Sequence, residues 1–215
     1  MTARPSWLPP TLAWSRFVTG LFISAAGSVA TIRANLGISP WDVLADGLSH
    51  RTTLSFGAAV VSISITVVIL SWLIGIRPGA GTLVNMILIG TFDDLLLNTG
   101  IGTSVATAPL AVQLAVLASG VGLVGFGAAI YIGAGLGAGP RDSLQLALSL
   151  RAGFRPGVAR TCVEGLALTV GWILGGAAGL GTVAIVLMTG LAVDVSFAAL
   201  RVDPAGRREA PIPSQ

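Results

Sequence analysis

Six apolar stretches constrain this chain more than anything else in it, at residues 12–34, 57–76, 81–98, 111–134, 157–177 and 181–200. Each approaches the roughly 20 residues a helix needs to cross a hydrocarbon core about 30 Å thick. Inside such a core every backbone N–H and C=O must be bonded within the protein, and a helix achieves that segment by segment. The expected fold is therefore all-α and integral to a membrane, with about six transmembrane helices. Composition agrees, because only 10% of the residues are charged and mean hydropathy is +0.88. A soluble domain carries roughly 25% charge to face water. The 29 glycines suit helices that pack through small residues rather than through a hydrophobic driving force.

The chain repeats itself at a spacing of 100. Residues 12–95 set above 112–195 without a gap give 21 identities in 84 positions. They include Gly20/Gly120, Gly27/Gly127, Leu36/Leu136, Gly37/Gly137, Pro40/Pro140, Asp42/Asp142, Gly57/Gly157, Trp72/Trp172, Thr82/Thr182 and Asp94/Asp194. Shared composition brings glycine and leucine into register by chance, but not Pro, Trp, Thr and two Asp. Three spans per unit is an odd number, so the second unit enters from the opposite side, and the pair is expected to be an inverted repeat. The recurrence of the first segment also argues that the run from Phe17, although preceded by Arg4 and Arg16, is a mature helix and not a signal peptide.

Charge supplies an independent test of the count. All the positive charge is arginine. With six spans, Arg4, Arg77, Arg141, Arg151, Arg155, Arg201, Arg207 and Arg208 gather on one side, and only Arg33 and Arg51 on the other. The positive-inside rule then places both termini in the cytoplasm. The expected organisation is a cytoplasmic N-terminus at 1–11, a first repeat at 12–98, an external linker at 99–110, a second repeat at 111–201, and a disordered cytoplasmic tail at 202–215.

Between the first and second spans of each unit lies a helix-start grammar: Gly37-Ile38-Ser39-Pro40-Trp41-Asp42, and Gly137-Ala138-Gly139-Pro140-Arg141-Asp142. Gly37 breaks the preceding helix, Ser39 can cap, Pro40 suits the first helical position, and Asp42 stands at the third. The resulting helices, near 40–50 and 140–150, are too short to span and must lie in the interface or re-enter the bundle. On one reading Asp42 and Asp142 bond only the N–H groups of their own helices. On the other, interrupted helices at matching places in two halves mark a binding site, with Arg141 adding positive charge.

The third span of each unit carries Asp94 and Asp194, each about 18 Å along from Thr82 or Thr182 at 1.5 Å per residue, with Asp93 beside Asp94. A carboxylate at depth is costly, so these residues should face protein or water, as an ion or proton site or as polar pins between helices. Asn85, on a neighbouring face of the same helix, can join either role. Arg160 and Glu164, four apart, are expected to form a structural ion pair. Lone His50 reads as a surface residue, and Cys162 as a small buried apolar one. The pattern offers no metal cluster, cofactor loop, nucleic-acid surface or nucleophile–base pair, and no enzyme is expected.

The strings Leu36-Gly-Ile-Ser-Pro-Trp-Asp-Val-Leu, Gly79-Ala-Gly-Thr-Leu-Val-Asn, Leu136-Gly-Ala-Gly-Pro-Arg-Asp-Ser-Leu, Arg160 through Glu164, and Leu174-Gly-Gly-Ala-Ala-Gly-Leu-Gly-Thr resemble the YczE-like bacterial membrane proteins, relatives of the YitT group. The likeness spans about residues 12–200. It implies a multi-pass protein of the bacterial inner membrane, in a family described in terms of membrane integration or transport. It brings no substrate and no catalytic residue. Arg141 stands where the first half has Trp41, so two half-sites built on these motifs cannot be chemically equivalent.

Two functions follow as expectations. The first is a small transporter or permease whose units rock about a midplane site for a small molecule or ion, with Asp94 and Asp194 holding a cation or proton. The second is a non-transporting scaffold or assembly factor that holds proteins or anionic lipid through Arg151, Arg155, Arg207 and Arg208. Gly-rich faces on six short spans are compatible with a homodimer.

Overall fold

A computed structural model describes residues 10–137, 139–141, 143–144, 148 and 156–200, leaving aside the side chains of 156–160. Its long helices are α1 (Pro10–Ala34), α2 (Pro40–Arg51), α3 (Phe56–Leu73), α4 (Ala80–Asn98), α5 (Leu110–Gly133), α6 (Pro156–Ile173) and α7 (Leu180–Leu200). A 3₁₀ turn, Thr103–Thr107, lies in the linker before α5, and no strand occurs among the described residues. Five helices (α1, α3, α4, α5 and α7) are long and apolar enough to cross a membrane, and the described part of α6, Thr161–Ile173, is apolar but shorter. The N-terminal arm, the tail and the four arginines expected to form a cytoplasmic face lie outside the described residues.

The outer surface fits lipid. Leu73, Leu187 and Ile173 are each at least 70% exposed on apolar helices. Trp72 and Trp172 stand 60% and 68% exposed at the ends of α3 and α6, where indoles suit a membrane–water boundary. Cys162, expected to be buried, is exposed on α6. The whole outer wall is apolar here, so a small apolar residue gains nothing from facing inward.

Helices α3 and α6 end earlier than the hydrophobic runs at 57–76 and 157–177 suggested. Gly75 and Gly175 adopt φ of 105° and 98°, which L side chains rarely reach. The N–H of Ile76 bonds the carbonyl of Ser71 at 2.9 Å, and that of Gly176 the carbonyl of Gly171 at 2.9 Å. These are left-handed C-terminal caps, and they stop both helices at equivalent places although the sequence beyond stays apolar.

The centre is a crossing of α1 and α5. A Cβ on Gly27 would come within 2.6 Å of the Gly120 carbonyl oxygen, and one on Gly120 within 2.8 Å of the Gly27 carbonyl oxygen. Gly20 and Gly127 are related in the same reciprocal way, at 2.8 and 2.6 Å. Gly20 thus meets Gly127 while Gly27 meets Gly120, so the two helices run antiparallel with their backbones in contact. Phe17 and Leu21 pack at one end of the crossing, Phe17 edge-on to Tyr131 at 5.9 Å. Helix α4 flanks α1, and α7 flanks α5.

The break after α1 is tied to the start of α7. Asn35 and Gly37 turn the chain with φ of 55° and 124°. The freed carbonyl of Leu36 then accepts the N–H of Gly181 at 2.8 Å. The carbonyl of Leu136, after α5, accepts the N–H of Gly81 at the start of α4 at 3.1 Å. Each break therefore satisfies an orphan donor of the other unit's last helix. Helix α2 is buried at Pro40, Trp41, Asp42, Val43, Ala45 and Gly47 and packs on α6 and α3. Its far end is fastened by Arg51, which donates to the Leu174 carbonyl at 3.0 Å, and by Asp46, which accepts the Ala177 N–H at 2.8 Å. Helix α2 is thus packed among the other helices rather than standing apart from them.

The crossing makes a direct prediction. Gly27→Leu must push α1 and α5 apart, and overpacking of this kind costs roughly 1–3 kcal/mol or more. The melting temperature of detergent-purified protein should fall clearly. Gly122→Leu, on the same pair of helices but with nothing within 4 Å of its Cβ, should leave it unchanged.

Candidate functional site

A cavity of about 260 Å³ opens where the two broken segments meet. The start of α2 reaches it through Ser39, Pro40, Trp41 and Asp42, and the other unit's break through Gly139, Pro140 and Arg141. Of the lining positions, ten pairs lie 100 residues apart: 24/124, 28/128, 31/131, 39/139, 40/140, 41/141, 64/164, 85/185, 89/189 and 93/193. Both units thus contribute the same positions, but not the same chemistry.

Asp42 organises one side. Ser39 caps α2, accepting the N–H of Asp42 at 3.3 Å, and its hydroxyl donates to Asp42 Oδ2 at 2.7 Å. Ser28 of α1 donates to the same oxygen at 3.2 Å. The other oxygen, Oδ1, lies 3.6 Å from Arg141 Nη2, in a pair that joins the two units. The Arg141 guanidinium also rests 5.2 Å from the centre of the Trp41 ring, in a cation–π geometry. The Asp42 carboxylate thus serves Ser39, Ser28 and Arg141.

Two buried polar atoms in the lining have no hydrogen-bond partner among the described residues: Asp93 Oδ1 and Trp41 Nε1. Asp93 is 2% exposed, and leaving a buried acceptor of this kind unpaired costs about 1–3 kcal/mol, more for a charged group. Asn85 lines the same cavity and is also buried.

The neighbouring aspartates of α4 part company. Successive helical residues point about 100° apart, so Asp93 faces the cavity while Asp94 faces α3. Asp94 Oδ1 accepts the N–H of Gly57 at 2.7 Å, and its Oδ2 accepts the Ser55 hydroxyl. It pins the N-terminus of α3, about one turn from the end of α4, shallower than its distance from Thr82 suggested. Asp194 is exposed on α7 and does not line the cavity. Asp142 and the Arg160 side chain lie outside the described residues, and Glu164 lines the cavity. His50, exposed as expected, sits 3.7 Å from Asp46 and within 3.2 Å of the Gly175 carbonyl.

Sequence reasoning named Ser39, Asp42, Arg141, Asn85 and Asp93 but missed the wall that α1 contributes. Ser24, Ser28 and Thr31 recur at helical spacing along an apolar span, a polar stripe that needs an inward-facing partner.

These features define a class: a multi-helix membrane protein with a polar cavity at the meeting point of two interrupted segments. The chain belongs to the DUF6198 family, a family of unknown function whose model it matches over residues 12–197. It is 35% identical over 188 residues to the uncharacterized membrane protein YczE of Bacillus subtilis (strain 168), covering 86% of both chains. An uncharacterized protein of Haemophilus influenzae is 33% identical over 188 residues, covering 84% of each. A further Bacillus subtilis relative, the uncharacterized protein YyaS, is 30% identical over 177 residues, covering 82% of this chain and 88% of its own. No solved structure matches. The resemblance read from the sequence motifs is thereby borne out at the level of the family.

The division between the two aspartates can be measured. Asp94→Ala removes a helix cap and should destabilise the protein by about 1–2 kcal/mol. Asp93→Asn removes an unmatched buried charge and should leave the melting temperature unchanged or raise it. Equal destabilisation by both would mean that Asp93 is a structural partner rather than a cavity group.

Proposed function

We propose that this protein is a small-solute transporter of the cell membrane, not an enzyme, built as two inverted three-span repeats around the central cavity. The carrying observation is that one polar cavity collects paired positions from both units exactly where their helices are interrupted. Polar and ionisable groups are expensive inside a membrane and persist where they serve a pathway or binding site. Interrupted helices at matching places in two halves are the usual site-building device of transporters.

Several features support the inverted arrangement. Helices α1 and α5 cross antiparallel through reciprocal glycine contacts, and the bonds Leu36–Gly181 and Leu136–Gly81 exchange partners under the same offset. A two-fold axis in the membrane plane relates such pairs. Helix α6, the counterpart of α3 and also 18 residues long, supplies the sixth crossing. The arginine distribution then puts both termini in the cytoplasm. In this mechanism the units rock against each other, and the Asp42–Arg141 pair, held between them, breaks or re-forms as the cavity changes the side to which it opens.

Topology is testable with cysteines. In a Cys162→Ser background, Arg77→Cys and Ala177→Cys occupy equivalent exposed loops of the two units. An impermeant maleimide should label position 177 in intact cells and position 77 only after permeabilisation. Labelling from one side would rule out inversion. For transport, proteoliposomes should accumulate at least one member of a panel of labelled amines, amino acids, carboxylates and sugars. Val193→Trp, which fills the cavity, should abolish that uptake. Uptake of none, or uptake indifferent to Val193→Trp, would count against a transport role for this cavity.

A further inference from the structure

We infer that the cavity takes a small organic cation, an ammonium or guanidinium head on a short apolar tail, with Asp93 receiving the head. This inference rests on the transport reading of the same cavity and adds the class of solute.

The first observation is the unmatched acceptor. Asp93 lines the cavity, and its buried Oδ1 has no donor among the described residues. Ionising a buried carboxylate is costly without a counter-charge, so it holds either a proton or a cation that reaches it. Among the described lining residues, Asp42 is paired with Arg141, while Asp93 Oδ1 has no hydrogen-bond partner. Arg141 is already engaged by Asp42 and Trp41. The cavity therefore has an acid to offer and no arginine to spare.

An anion is the poorer fit. The positive end of α2 points into the cavity, but Asp42 at its third position, capped by Ser39, already answers it. The cavity also shows what it accepts: the Arg141 guanidinium, a planar N–H cation, is seated on the Trp41 ring against a carboxylate. A solute with the same head chemistry finds a second carboxylate at Asp93.

The tail follows from the difference between the units. Where the first unit places Ser24, Asn85 and Asp93, the second places Val124, Ile185 and Val193. At these three positions the first unit offers hydrogen bonds and the second apolar contact. A bare inorganic ion leaves that apolar contact unused, and a volume of about 260 Å³ exceeds what such an ion fills. It also lies just below the range of about 300–1,000 Å³ typical of drug-sized pockets, which limits the solute to a few heavy atoms.

The test uses the full-length protein in detergent at constant ionic strength, with n-propylammonium chloride, ammonium chloride, sodium propionate and n-propanol as probes. A ligand that binds only the folded state raises its melting temperature with concentration. Propylammonium should do so, ammonium less, and propionate and propanol not at all. Asp93→Asn should weaken the propylammonium response by roughly tenfold or more, as expected for the loss of a charge-assisted hydrogen bond, and Asp94→Asn should not. A response to propionate without one to propylammonium would overturn the cation assignment and leave the cavity as a site. No response to propylammonium, or one unchanged in Asp93→Asn, would overturn the inference outright. A second readout needs no variant: labelling of wild-type Asp93 by an apolar carbodiimide, followed by mass spectrometry, should slow in propylammonium, and unprotected labelling would also overturn it. Binding without counterflow of propylammonium in proteoliposomes would support the inference and count against transport alone.

Discussion

A helix interrupted inside a membrane survives only if the backbone groups it frees find partners in the protein, because lipid offers none. Everything central in this molecule depends on that accounting. The carbonyls of Leu36 and Leu136, released where α1 and α5 stop, each accept the first N–H groups of the other unit's last helix. Ser39 then caps the new N-terminus of α2, its hydroxyl held in turn by the Asp42 carboxylate. With both ends of the break closed, the chain can turn back into the bundle and present the start of α2 to the interior. The cavity is what such a pair of turned-back segments leaves between them.

Holding those breaks in reach of each other requires α1 and α5 to touch along their backbones. Gly20, Gly27, Gly120 and Gly127 permit it, since any Cβ there would meet main-chain atoms of the facing helix. In lipid, where burial of apolar side chains gains little, close van der Waals contact between small residues is a main source of cohesion. The crossing and the cavity adjoin: the glycines hold α1 against α5, and Ser24, Ser28 and Thr31, interleaved with them along α1, line the cavity.

Much of this was legible in the sequence. The starts of α1, α3, α4, α5, α6 and α7 fall within two residues of the apolar runs, and the cap at Ser39-Pro40-Trp41-Asp42 forms as its residue types dictate. What misled was the weight placed on identity between the halves. Asp94 and Asp194 match, and of the two readings open to them, ion site or polar pin, Asp94 takes the second, at the N-terminus of α3. The acid that faces the cavity is Asp93, whose counterpart is Val193. Helical periodicity distinguishes two adjacent aspartates only when the position of the neighbouring helix is known, and sequence spacing carries no information about that. The ends of α3 and α6 were missed for a related reason: hydropathy does not register the left-handed turns at Gly75 and Gly175.

The contrast separates scaffold from site. Positions identical in both units, such as Gly20, Gly27, Leu36, Gly37, Gly81 and Thr82, hold helices together or close breaks, and each half needs them equally. Positions that differ, 41/141, 64/164, 85/185 and 93/193, line the cavity. A duplicated frame that rocks between two states needs halves that can exchange roles, which keeps the packing residues alike. A solute with a polar head and an apolar tail has no two-fold symmetry, so a cavity on the axis between the halves fits it only if the two walls diverge. Divergence at these lining positions, with the residues that hold the helices together kept alike, is what that division of labour requires.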